Sequence, residues 1–177
     1  MAAVGEYFYL HFADEPGLAT AQTSRDPGLG KQLRAGDRLA DWEMIRFELS
    51  DGLIVDYLAN TYAFRLCSSR LRDIIEAGRG KDDVIQWLPT VVTRHDGVDL
   101  PYWILHFPEV PMVLNAARSV MAGPMIVKAC LDARLVTGHQ LLSFPNESVR
   151  LVVASEVKGA IEGAGCSGMK FSKIPVA

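Results

Sequence analysis

The chain has 177 residues, 49% of them apolar and 22% charged, with 18 Lys and Arg against 21 Asp and Glu and a formal net charge of −3. That balance is ordinary for a single folded domain, which at this size buries about 70% of its unfolded surface without a disulfide or metal staple. It argues against a long disordered, fibrous or membrane-resident chain and supplies no global positive field for nucleic acid or an anionic membrane surface.

Tyr7 to Phe12 is short and aromatic and ends at Asp14-Glu15-Pro16-Gly17, the pattern of a strand followed by a turn. From 13 to 41 the composition shifts to Gly, Pro and charge, which predicts a long loop or flap. Met44 to Leu49 alternates as a strand, Asp51-Gly52 marks a turn, and Tyr62 to Cys67 predicts another strand. Ser69 stands where a helix N-cap belongs. Behind it Leu71, Ile74 and Ile75 recur at helical spacing, and Gly78 stops the helix. Val84 to Thr93 predicts a strand at a sheet edge or bulge because of Pro89. His95-Asp96-Gly97-Val98 is a hairpin turn into the strand Leu100 to Phe107.

Met112 to Met121 has the length of a short helix but little capping. Met125 to Leu131, Gln140 to Phe144 and Val149 to Val153 predict strands. Ser155 is then placed to cap a helix with Val157, Ala160, Ile161 and Ala164 on its apolar face, and Met169 to Val176 predicts a closing strand. An internal echo accompanies this order. Shifted by 86 residues, Ser69 falls on Ser155, Ile75 on Ile161, Glu76 on Glu162 and Pro89 on Pro175. Shifted by 95, Tyr7 to Phe12 falls on Tyr102 to Phe107. The fold expected is a single α+β domain over 1–177, with a mixed, mainly antiparallel sheet, two or three short helices, and an internally duplicated strand-helix-strand unit.

Chemistry-bearing patterns are sparse. Cys67, Cys130 and Cys166 are odd in number and far apart, which disfavours a disulfide framework or zinc site and fits a reducing compartment. Met1 to Leu10 lacks a basic leader, so a cytoplasmic location is expected. Gly28-Leu29-Gly30-Lys31 has Gln32 where a phosphate loop needs a hydroxyl. His11, His95, His106 and His139 have no metal-ligand spacing. Cys130 with His139, or Cys67 with His106, are the combinations a nucleophile would draw on. A basic face for nucleic acid would require Arg65, Arg70, Arg72, Arg79 and Lys81 to lie together.

Gly36-x-x-Leu39-x-x-Trp42, Asp56-Tyr57-Leu58, Ser68 to Glu76, Gln86-Trp87-Leu88-Pro89, Tyr102 to Leu105 and the closing run from Ser155-Glu156-Val157 to Gly168-Met169-Lys170-Phe171 resemble a bacterial family. It was first catalogued as a domain of unknown function, then assigned to immunity proteins of polymorphic toxin systems and named after a myxobacterial member. The resemblance implies a small cytoplasmic inhibitor that binds a cognate toxin domain stoichiometrically, with no catalytic residue, cofactor or metal to carry over.

Net charge suggests that such an inhibitor meets a basic nuclease cleft with carboxylates, and turn positions single out Asp51, Asp56, Asp82, Asp83 and Glu109 as partner-binding candidates. The alternative expectation is a small Cys/His-dependent hydrolase or transferase.

Overall fold

The computed structural model describes residues 5–23, 33, 36–145 and 150–177. Twelve strands and two helices are found among them. One sheet has four strands, β1 (Tyr7–Phe12), β10 (Leu141–Leu142), β11 (Leu151–Ala154) and β12 (Met169–Ile174), in the order β10-β11-β1-β12. The second has six: β2 (Ala21–Gln22), β3 (Ile45–Leu49), β4 (Tyr57–Leu58), β5 (Leu66–Ser68), β6 (Gln86–Thr93) and β7 (Asp99–His106), in the order β2-β3-β6-β7-β5-β4. Only β3 and β6 pair in parallel among the described strands. A separate hairpin is formed by β8 (Val120–Ala122) and β9 (Met125–Lys128). With helices α1 (Ser69–Ala77) and α2 (Ser155–Gly163), this is the α+β domain with mixed, mainly antiparallel sheets that the pattern predicts.

The helices pack on one another between the sheets. Leu71 and Ile75 of α1 join Val157 and Ile161 of α2 in one buried cluster with Leu10, Leu105 and Val153. They approach so closely that a Cβ on Gly78 would stand 2.9 Å from Val157 Cγ2. Ala160 and Ala164, expected on the apolar face, are exposed, because two residues per helix suffice to fill the seam.

Both caps shift by one residue from expectation. At α1 it is Ser68 whose hydroxyl accepts the Leu71 N–H, at 3.2 Å. At α2 the cap is Ala154 with no side-chain bond; the Ser155 N–H instead donates to the Glu6 carbonyl at 2.9 Å. Gly78 ends α1 as predicted. The exposed carbonyl of Ala164 beyond α2 is taken by the Arg70 guanidinium of α1.

The two strand-helix-strand segments share a topology. β5 and β6 flank β7, and β11 and β12 flank β1. Tyr102 faces Ser68 as Tyr7 faces Ala154, which preserves both sequence offsets. On the other side Tyr102 faces Thr90 but Tyr7 faces Ile174, an offset of 84 rather than 86. The connection into β12 is the shorter one, so the gap-free superposition expected of a copied unit is not found.

Other expectations are corrected by identifiable contacts. Tyr62 to Cys67 is strand only from Leu66, because Ala63 has a left-handed φ of 54° and Asn60 holds both the N–H and the carbonyl of Phe64. Met112 to Met121 is not a helix. Leu114 instead bridges Leu131, and the Asn115 N–H donates to Cys130 O at 2.8 Å.

Pro89 lies in an interior strand, flanked by β3 and β7. Pairing with β3 starts only at Thr90, and the Pro89 carbonyl accepts the Trp42 indole N–H at 2.8 Å, so its missing N–H breaks no rung. The loop expected over 13–41 is tied down at its start, where Ala19 and Ala21 are fully buried and β2 pairs with β3. The Gly28 to Lys31 run lies outside the described residues.

Candidate partner-binding surface

Of the five carboxylates expected at an interface, three line one cavity of about 210 Å³: Asp82, Asp83 and Glu109, together with His139, Phe107 and Leu141. The cavity exists because the connection after α1 lies against the turn that precedes β10. A Cβ on Gly138, whose φ is +91°, would stand 1.9 Å from Asp82 Oδ2, and one on Gly80 would stand 2.4 Å from the Gly138 carbonyl. Two glycines thus permit the approach.

Asp83 is fully enclosed and acts as an internal anchor. Its carboxylate accepts the N–H groups of Gly80 (2.7 Å), Leu141 (3.0 Å) and Gln140 (3.2 Å), and His139 Nδ1 donates to it at 3.0 Å. Such a saturated acceptor has no face left for a partner. Asp82 and Glu109 are exposed at the rim.

Asp56 is likewise committed within the fold. It accepts the Ser68 hydroxyl at 2.7 Å and the Ser167 N–H at 2.9 Å, fastening the α2–β12 connection to the N-terminus of α1. Asp51 is apart from the rest. It is fully exposed, lies 3.1 Å from His95, and borders a second cavity of about 250 Å³ with Arg94 and Asp96.

The Cys/His combinations are not joined by hydrogen bonds among the described residues. Cys67 contacts the Arg65 carbonyl at 3.6 Å, and burial pushes its thiol above the ordinary range. Cys130 Sγ is turned to its neighbour's carbonyl, Leu131 O. His106 is wholly buried; its Nε2 meets the Asp37 carbonyl at 2.7 Å, and burial, helped by the nearby Arg65 and Arg38 charges, holds its pKa below the usual value. Arg65 is buried too, on the Arg150 carbonyl and Ser143, so the five-residue basic face is not formed.

Arg70 and Arg72 are engaged within the fold, Arg70 on Ala164 O and Arg72 over the Trp103 ring at 4.2 Å. Trp42, Trp87 and Trp103 are each half-buried, with the Trp87 indole donating to Glu76 at 2.9 Å. No group of three or more His, Cys, Asp or Glu arranged to hold a metal ion occurs among the described residues. No described helix is long and apolar enough to cross a membrane.

The surface that sequence reasoning missed is the β8–β9 hairpin. Ile126 is buried against Val113, Leu131 and Phe144 and pins the hairpin to the body. Arg150 donates to the Ile126 carbonyl at 3.3 Å. The side chains on either side of Ile126 point outward: Met125 is 66% and Val127 62% exposed. Val120, Met121, Met112 and Leu135 are also about half exposed or more, so six of the large exposed apolar residues fall between 112 and 135. The available signal was the unbroken Met-Ile-Val run, whose apolar outward positions lack the polar alternation of a solvated strand.

Neither models of known protein families nor curated proteins match this chain.

Proposed function

We propose that this protein is a stoichiometric inhibitor, an immunity protein that binds a cognate secreted bacterial toxin domain and blocks it by contact. The observation that carries the reading is the uncovered apolar face around β8–β9. Solvated surfaces scatter single hydrophobics, whereas Met125 and Val127 stand exposed two residues apart on one face of β9, as at a contact site. A standard interface takes about 800 Å² from each partner, an area that the hairpin can centre. The motif resemblance supplies the class of partner.

Protection is the test. Cells expressing the toxin domain encoded beside this chain should survive when the chain is co-expressed and die when it is omitted. Death in both cases overturns the proposal.

A hydrolase reading is favoured by one observation, an imidazole oriented by a buried carboxylate at a cavity wall, as in Asp83–His139. His139→Gln separates the two: an inhibitor keeps its protection, whereas a hydrolase that uses this base loses it.

A further inference from the structure

We infer that the β8–β9 hairpin is the docking face, and that the partner surface it takes is apolar at its centre and acidic at its rim. The inference rests on the inhibitor reading and names the partner chemistry of that contact. Between Glu109 and Asp132 the chain has no carboxylate at all, although it holds 21 acidic residues in 177. The same stretch holds two cations, Arg118 and Lys128, and three of the six methionines.

Both cations are exposed and form no ion pair among the described residues. Elsewhere charges are commonly paired, as in Arg46–Asp99, Arg94–Asp96 and Lys158–Glu162. Arg118 stands two residues before β8 and Lys128 faces Val120 across the hairpin, so a molecule of net charge −3 carries two exposed cations at the base of β8–β9.

Charge complementarity selects the occupant. A basic cleft would be repelled by Arg118 and Lys128, whereas a carboxylate-rimmed apolar patch pairs with them at the edge and buries the Met and Val side chains at the centre. Unbranched methionines adapt their shape to the partner, which suits a surface that must seat against another protein's side chains. The buried Ile126 holds the hairpin in place, so docking needs little ordering of the backbone.

The experiment uses the full chain and the adjacent toxin domain in a catalytically inactive form, with affinity measured by calorimetry at two salt concentrations. Met125→Glu combined with Val127→Glu should weaken binding at least 100-fold, since both substitutions place a charge in the apolar centre and face an acidic rim. Arg118→Glu with Lys128→Glu should weaken it about tenfold or more, with the larger loss at low salt. Leu53→Glu, at an exposed apolar position outside the hairpin, should bind as the wild type does.

Amide exchange of 120–128 in the wild-type complex is a readout that no variant's folding affects, and it should slow on binding. Wild-type binding that both hairpin variants retain, or protection confined to other segments, overturns the docking face while leaving the inhibitor reading standing. Tighter binding by the cation variants overturns the acidic rim. A wild-type chain that binds no such toxin overturns both readings together.

Discussion

Asp83 is polar and buried, whereas Met125 and Val127 are apolar and exposed. At Asp83 the chain brings its own donors, three backbone N–H groups and an imidazole, so the cost of taking a carboxylate out of water is met internally. At the hairpin no described element covers the outward face, so its apolar side chains stay in water. The contrast separates residues that hold the fold from apolar residues that the fold leaves exposed, and it runs against the expectation from charge alone. Asp83 and Asp56, singled out as contacts for their loop positions, belong to the first kind; apolar residues of β8 and β9 belong to the second.

The largest effect that sharpens this contrast is expected at Asp83. Asp83→Ala strands the buried donors of Gly80, Gln140 and Leu141 and should lower the unfolding free energy by about 3 kcal/mol. Urea denaturation checks this, and a loss comparable to that of an exposed site would mean the carboxylate does not anchor the turn. The caps come next. Ser68→Ala should cost about 1 kcal/mol, because the Leu71 N–H loses its acceptor, whereas Ser155→Ala should cost only a few tenths, since no cap bond runs through its side chain. Equal losses would show that the two helix starts are equivalent after all.

A third difference is read by pH. Burial lowers the pKa of His106, so below the unfolded-state value near 6.5 the unfolded chain binds more of a proton at this group than the folded chain does. Stability should therefore fall as pH drops below about 6.5, by at most about 1.4 kcal/mol per pH unit from this group. His106→Gln should flatten that slope in melts taken from pH 7 to 5; an unchanged slope would assign it to other groups. The smallest stability effect is expected on the hairpin, where Met125→Glu should stay within about 0.5 kcal/mol of wild type despite its effect on binding.

The elements with strong local signals were legible in the sequence. β1, β3, β6 and β7 follow from aromatic, alternating or apolar runs bounded by turn residues, and both helices follow from apolar spacing. The failures at Pro89 and at 112–121 share one physical source, contacts distant in sequence. Whether Pro89 sits at an edge depends on where β3 begins to pair, and 112–121 is not a helix because 130–132 lies beside it. The candidate surface was less legible than the fold. Loop position finds exposed carboxylates such as Asp51, Asp82 and Glu109, but it does not show that Gly80 and Leu141 converge on Asp83, since those partners are named only by the tertiary fold. The apolar run at 125–127 was visible, but a strand buried on both faces has the same pattern as a strand awaiting a partner.

The central claim is stoichiometric inhibition by contact, and titration of toxin activity tests it most directly. A fixed amount of the active toxin domain encoded beside this chain is mixed with increasing amounts of the protein, and residual activity is read at equilibrium. The account predicts a linear fall to zero at one equivalent, with no dependence on incubation time once binding is complete. Full loss of activity at a small fraction of an equivalent, deepening with time, would show turnover and contradict the account; undiminished activity at excess protein would contradict it as well.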